Sequence, residues 1–275
     1  MHRYLFKLYY SGSKYLGFQR QPNGQSIENR LEIGFAKSRL IASFQENKYK
    51  CVSRTDRGVS AICNMFSLYL ENKPDLRLIN SNLPDENSII VYDYCISPEK
   101  FDIRVTKSKE YKYFLPTIHP EISVGLARIL DFIGLHDFSN FIKGDGAGED
   151  YPNSNIFHIE LVTNGSYPFI LFRGDKFGRE QIRRIMGFLL DPKFLTVNPL
   201  QILESSSRPK IASADPANLW LVSIEYEQNL NWSSDIDHDG FSKKTRLRLL
   251  EVNAEAANQE LYLFNTHFFR LNDAI

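Results

Sequence analysis

Cysteine is scarce in this sequence. The three present, Cys51, Cys63 and Cys95, form no CxxC pair and show no metal-ligand spacing, which excludes a disulfide framework and fits a reducing, cytoplasmic setting. The six histidines make no HxxxH or HxH pair, so neither a structural nor a catalytic zinc is expected. No apolar run approaches the roughly 20 residues of a membrane span. The start, Met1-His2-Arg3-Tyr4, runs straight into a strand-like pattern without the charged and apolar regions of a secretory signal, so neither export nor a membrane partner is expected. Low-complexity sequence and an obvious internal repeat are also missing.

Net charge is absent too, since 33 Lys+Arg balance 33 Asp+Glu, and taken alone this speaks against a nucleic-acid partner. The distribution points the other way. Residues 1–60 carry eleven Lys/Arg against four Asp/Glu, 101–120 carry four against two, and 171–190 carry five against two. A neutral chain with three basic stretches can present a positive face to phosphate where they converge. With 43% hydrophobic and 13% aromatic residues, 275 residues suffice for one large folded domain or two of ordinary size.

The stretch around which the rest is organised is Ser53-Arg54-Thr55-Asp56-Arg57-Gly58-Val59-Ser60-Ala61. One carboxylate stands between two arginines, whose guanidinium groups favour its ionised form and hold it ready as a nucleophile or base. Gly58 allows a sharp turn, and the neighbouring hydroxyls add uncharged hydrogen-bonding groups. Taken alone, such a block reads as a polar surface turn; its neighbours in the chain alter that reading.

Residues 3–10 are aromatic-rich and read as a strand. Asn23-Gly24 marks a turn, Ser26 an N-cap, and Ile27, Leu31, Gly34, Phe35 and Ser38 one face of a helix over 27–43. Strands are predicted over 48–52 and 62–70, which puts Asp56 on a loop between two of them. Lys73-Pro74 and Pro84 frame a second helix, and 89–92 is a further strand. A second unit is expected from residue 103, dividing the chain into domains 1–102 and 103–275. Within it, 111–115 is strand-like with Tyr111 and Tyr113 on one face. Residues 122–132, 136–142 and 178–190 read as helices, and 155–163 with 167–173 as a hairpin about Asn164-Gly165. Ile182, Ile185, Met186 and Leu189 form the buried stripe of the 178–190 helix, leaving Arg179, Arg183 and Arg184 off it.

Two acidic loops invite a metal reading and fail it. Asp235-Ile236-Asp237-His238-Asp239-Gly240 begins like a calcium loop, but Arg246 stands where the bidentate glutamate belongs. Asp145-Gly146-Ala147-Gly148-Glu149-Asp150 lacks ligand spacing altogether. Both read as solvated loops, and no metal is expected.

With these pieces placed, the sequence resembles the TruA family of tRNA pseudouridine synthases. The Asp56 block looks like the family's Gly-Arg-Thr-Asp-x-Gly-Val-(His/Ser)-Ala signature, with Ser53 in the place of the glycine. The stretch from Tyr10 to Gln21 looks like its Tyr-x-Gly-x-x-(Phe/Tyr)-x-Gly-(Trp/Phe)-Gln-x-Gln opening. Asn82-Leu83-Pro84, Phe101-Asp102-Ile103-Arg104 with Lys109-Glu110-Tyr111-Lys112-Tyr113, Gly134 to Phe141, and Phe177 with Ile182-Arg183-Arg184-Ile185-Met186-Gly187 are similar to further blocks in the family's order. Asp215 to Leu221 resembles a family strand start, with Asn218 replacing glycine.

The resemblance implies a two-domain fold of the α/β (α+β) class. Each domain would be a mainly antiparallel sheet with helices on one face, ferredoxin- or RRM-like, with an active-site cleft between them. It implies isomerisation of uridine to pseudouridine in the anticodon arm of tRNA, at the positions conventionally numbered 38 to 40, by a homodimer without cofactor. Asp56 would initiate the reaction, Arg183 would pair with it, and Tyr111 would stack on the base and handle a proton. Arg54 would occupy the space vacated by a flipped uridine, and Arg104, Arg20, Arg57 and Lys14 are candidates for phosphate contact. His136 and Asp137 read as packing and capping residues. Two rivals are a non-catalytic RNA-binding module and an aspartate-dependent glycosidase, which would want a second carboxylate that no matching block offers.

Overall fold

β1 (His2–Tyr10) buries Tyr4, Leu5, Phe6, Leu8, Tyr9 and Tyr10, because both of its faces are covered. In the computed structural model, which describes residues 1–22, 24–84, 88–115, 126–144, 152–163, 168–207 and 209–233, β1 is the hydrogen-bonding centre of a first unit. It pairs antiparallel with β3 (Ser60–Leu70) on one edge and β4 (Ile89–Ile96) on the other, with Phe6 opposite both Phe66 and Tyr94. The short β2 (Lys50–Cys51) pairs antiparallel with β3 at Ser67 and Phe66. β9 (Leu219–Glu225) runs parallel to β3, with Ser60 beside Trp220 and Ala61 beside Leu221.

α1 (Ile27–Lys37) starts where expected, with the Ser26 hydroxyl accepting a hydrogen bond from the Asn29 N–H at 3.2 Å. Its buried stripe of Ile27, Leu31, Gly34 and Phe35 covers one face of the sheet, and the Phe35 ring meets Phe6 edge-on at 5.3 Å and Phe66 at 5.7 Å. Truncating Phe35 to alanine would cost about 3–5 kcal/mol. The helix is shorter than the expected 27–43. Arg39, at φ +57°, takes a left-handed conformation that no α-helix continues through. α2 (Leu76–Ser81) lies between Pro74 and Pro84 and is capped by the Asp75 carboxylate, which accepts from the Arg77 and Leu78 N–H groups.

The other face carries Leu5, Met65, Cys95 and Ile103, with Ile224, Tyr226, Leu230 and Trp232 packed against them. The Tyr226 hydroxyl donates to the Ile103 carbonyl at 2.7 Å, and the Lys7 ammonium sits 3.8 Å from the Trp232 ring centre. The expected division at 102/103 therefore needs correction. The first unit runs to Thr106, and the chain returns to it from Trp220, because β9 supplies a partner for β3 and the segment after it covers apolar surface.

The second unit, from Lys107 to Leu219, is a fully antiparallel sheet in the order β5-β8-β7-β6. β5 spans Ser108–Phe114, β6 Gly134–Asp137, β7 Asn153–Val162 and β8 Phe169–Gly174. Phe172 lies opposite both Tyr111 and Ile159. α3 (Gln181–Leu190) buries Ile182, Ile185, Met186, Phe188 and Leu189, and α4 (Pro199–Leu203) follows it. The rings of Phe132, Phe141 and Phe188 meet edge-on at 5.1–6.2 Å. Both units are of the expected α+β class.

Three expectations differ in this unit. Residues 136–142 are not a helix: β6 ends at Asp137, whose carboxylate accepts from the Ser139 N–H and hydroxyl and turns the chain, sending Phe138 and Phe141 inward. Of the expected helix 122–132, residues 122–125 lie outside the described residues and Ile129–Phe132 forms a 3-10 turn. α3 begins at Gln181 and not at 178, because Glu180 is left-handed at φ +60°. The Asn164-Gly165 turn and both acidic loops also lie outside the described residues.

Candidate active site

From β2 the chain passes through Ser53 to Gly58 and enters β3 at Ser60. Burial alternates along it: Ser53 and Thr55 are inside, Arg54 and Arg57 outside, and Asp56 half-buried. The Val59 N–H donates to the Asp56 carbonyl at 3.2 Å, closing a turn through Gly58 at φ +83°. The two inward residues are tied to β1 and β3. Thr55 Oγ1 lies 2.7 Å from the Tyr10 phenol oxygen. Asn64 Nδ2 donates to that phenol oxygen at 3.2 Å and to the Ser53 carbonyl at 2.8 Å. The Asn64 amide oxygen in turn accepts from the Met65 N–H. Tyr10 and Asn64 are fully buried, so these bonds are shielded from water and anchor the backbone on both sides of Arg54.

The segment after β1 closes over the loop. The Phe18 N–H donates to the Thr55 carbonyl at 3.1 Å, and the Gly12 N–H to Ser60 Oγ at 2.9 Å. A Cβ on Gly12 would stand 2.2 Å from the Val59 carbonyl oxygen, so only glycine lets the two backbones approach this closely. Asp56 is thus carried on a turn whose flanks are held by β1, β3 and the Gly12–Phe18 segment.

Of the predicted RNA-contact residues, Arg54 and Arg104 both act electrostatically on Cys51. Burial pushes the Cys51 thiol up, and both guanidinium groups act against that, Arg54 through a hydrogen bond as well as its charge. Arg57 and Lys14 are exposed; Lys14 Nζ reaches Ser88 Oγ at 3.4 Å. Arg20 is drawn elsewhere: Glu32 and Glu28 of α1 both pair with its guanidinium, the latter at 3.9 Å. Tyr10 and Asn64 were not singled out as site residues from sequence. Tyr10 heads the matching opening, which was the available signal; Asn64 had none.

In the second unit, Tyr111 lies on β5, 8% exposed, its ring edge-on to Phe177 at 5.2 Å. Tyr113 shares its face and is buried, and burial pushes its phenol up to about 12 despite a hydrogen bond with Asn218. Its place in strand packing is as expected. Asn218 does not use a left-handed conformation; it is buried at the end of a 3-10 turn, Pro216–Asn218. Arg183, on α3, donates from Nε to the Ala214 carbonyl at 2.9 Å. Arg184 Nε lies 3.5 Å from Glu180 Oε2. His136 Nε2 is 3.0 Å from the Ile133 carbonyl, and Asp137 caps its turn, so both serve local structure.

Among the described residues, no group of three or more His, Cys, Asp and Glu side chains could hold a metal ion, and no helix is long and apolar enough to cross a membrane.

A family model described as tRNA pseudouridine synthase matches residues 129–227. The tRNA pseudouridine synthase A of Thermococcus gammatolerans is 34% identical over 238 residues, covering 83% of this chain and 86% of its own. That of Thermococcus kodakarensis is 33% identical over 227 residues, 79% and 82% of the two chains. That of Pyrococcus furiosus is 31% identical over 269 residues, 94% and 96% of the two chains. Identity at this level, spread over nearly the whole of both chains and joined to the Asp56 block on its anchored turn, shows that the chain belongs to the tRNA pseudouridine synthase A family.

Proposed function

We propose that this protein isomerises uridine to pseudouridine in tRNA, with Asp56 initiating the reaction. The observation that carries the reading is the Asp56 turn itself: a half-buried carboxylate flanked by two exposed arginines, on a backbone tied at Ser53 and Thr55 to the interior. A carboxylate held among groups that attract phosphate is unfavourable for plain RNA binding and useful for chemistry on a nucleotide. Membership of the family supplies the reaction class.

The reaction breaks the bond from N1 to the ribose carbon, turns the base, joins C5 to the same carbon and moves the C5 proton. It is an isomerisation without a redox step, so it requires no electron carrier, and no metal or organic cofactor is assigned to it. Asp56 acts at the sugar carbon, at the base or on a sugar proton; all three begin from the ionised carboxylate. Tyr111 stacks on the base and carries a proton through its hydroxyl, and Arg183 supplies the positive charge that keeps Asp56 ionised. Extruding a stacked uridine costs a few kcal/mol, which Arg54 offsets by filling the vacated space. Arg54, Arg104, Arg57 and Lys14 are all exposed, so these four are the preferred phosphate contacts. Arg20, matched by two carboxylates, is the weakest of the five. The substrate is the anticodon arm, at positions 38 to 40, and the enzyme works in the cytoplasm as a homodimer.

The test is incubation with unmodified tRNA transcript, followed by chemical or mass-tag detection of pseudouridine. Asp56→Asn and Asp56→Ala are expected to abolish turnover. They should leave tRNA affinity within several-fold, because affinity rests on phosphate contacts and not on the carboxylate. Pseudouridine formation by Asp56→Ala would overturn the assignment of Asp56. Binding without any product in the wild-type protein would favour the RNA-binding rival.

A further inference from the structure

We infer that Glu180 is a positioning residue for Arg183, acting through Ser213 and the Ala214 backbone. The inference rests on the proposed role of Arg183 in the isomerisation.

The residues at 180, 183 and 187 follow one another at the spacing of helical turns, so they lie on one side of α3 and its start. The segment 212–214 runs along that side and meets it at each level. Ser213 Oγ donates to Glu180 Oε2 at 2.5 Å. The Ala214 N–H donates to the Arg183 carbonyl, and Arg183 Nε to the Ala214 carbonyl, both at 2.9 Å. A Cβ on Gly187 would stand 1.9 Å from the Ala212 carbonyl oxygen, so the segment lies against the helix with no room for a side chain there.

Arg183 has a long side chain whose direction depends on where Nε is held. Because the Nε–H bond lies in the guanidinium plane, its acceptor sets how the rest of the fork is presented. That acceptor is a backbone carbonyl, and its position depends on what anchors residue 213. The Glu180 carboxylate anchors that residue through its side chain, beside the Ala214 N–H bond to the Arg183 carbonyl that holds the next one.

The Glu180 side chain is used for contacts to Ser213 and to two cations, and not for capping. The residue occupies the N-cap position of α3 at φ +60° and ψ 5°, a conformation that residues with a Cβ seldom adopt, and its side chain makes no capping hydrogen bond with the backbone N–H groups of the first turn. Instead the carboxylate, 13% exposed, receives Ser213, Lys143 at 3.2 Å and Arg184 at 3.5 Å. Burial pushes its pKa up, but Ser213, Lys143 and Arg183 more than offset this and hold it below the ordinary value, so the acceptor is charged at neutral pH.

The experiment compares wild type, Glu180→Ala, Glu180→Gln, Ser213→Ala and the Glu180→Ala/Ser213→Ala double variant. Three quantities are read: single-turnover pseudouridine formation, affinity for a tRNA transcript, and the Arg183 Nε–H signal in protein carrying 15N-arginine, assigned with Arg183→Lys. Glu180→Ala and Ser213→Ala are expected to slow the single-turnover rate about tenfold, with tRNA affinity within about twofold, as for a misplaced group that does not bind substrate more weakly. Both should shift the Arg183 Nε–H signal and speed its exchange with water. The double variant should be no slower than Glu180→Ala, because the two residues form one link. Glu180→Gln keeps an acceptor for Ser213 and should recover most of the rate. A wild-type rate in both single variants, a slowed rate with an unmoved Arg183 signal, or losses that multiply in the double variant would each overturn the inference. Should Glu180→Ala fail to fold, Ser213→Ala carries the same expectations. If the wild-type protein forms no pseudouridine, the proposed function falls, and the Arg183 signal still decides whether Glu180 sets that side chain.

Discussion

The phenol oxygen of Tyr10 and the hydroxyl oxygen of Thr55 lie 2.7 Å apart in the interior of the first unit, joining residues 45 positions apart in the chain. Thr55 immediately precedes Asp56. The backbone that carries Asp56 is therefore tied to the end of β1, and disturbances of β1 should reach the reaction without touching the carboxylate.

Tyr10→Phe tests that relationship with the ring retained. It removes the phenol oxygen, leaving Thr55 Oγ1 and one Asn64 bond without their buried partner, at a cost of about 1–3 kcal/mol. A lower urea midpoint with unchanged slope is expected, together with slower single turnover. Unchanged midpoint and rate would show that the bond anchors nothing.

Gly12→Ala probes the other flank of the turn. The added methyl would meet the Val59 carbonyl, and a backbone atom cannot swing aside as a side-chain tip can. Overpacking of this kind costs about 1–3 kcal/mol, and moving Val59 shifts the Asp56 carbonyl to which its N–H is bonded. Both stability and turnover should fall, while tRNA affinity changes much less. Wild-type kinetics in Gly12→Ala would mean the turn tolerates displacement.

Arg54→Ala and Tyr111→Phe should fail differently. Arg54 is proposed to help extrude the uridine, so its loss should be most severe on a paired stem. Placing the target in a mismatch lowers the flipping cost and should partly rescue the variant. Tyr111→Phe keeps the stacking face and loses only the hydroxyl, so its defect should persist at saturating enzyme and gain little from the mismatch. Equal rescue of both, or of neither, on paired and mismatched anticodon arms would show the roles to be wrongly divided.

The parts that were legible in the sequence are local in origin. Ser26 before an apolar stripe marks a helix start because the cap and the stripe lie within one or two turns. The aromatic run of β1 and the loop position of Asp56 between strands follow from residue types read in order. The Asp56 block, with the blocks around it, was enough to point to the family that the comparisons then showed.

Other features depend on residues far apart. Asp137 ends a strand and does not start a helix, because a strand partner at Asn153 and core space for Phe138 and Phe141 outweigh the local pattern. The return of 220–233 to the first unit could not be read from composition, since it depends on which apolar face of the sheet needs covering. Asn64 carries no local mark of its role, and neither does Glu180. Residue type and spacing specify turns, caps and faces, because those interactions close within a few residues. Which buried hydroxyl meets which, and which carboxylate orients which arginine, is decided only when distant segments share an interior from which water is excluded and every polar group must find a partner.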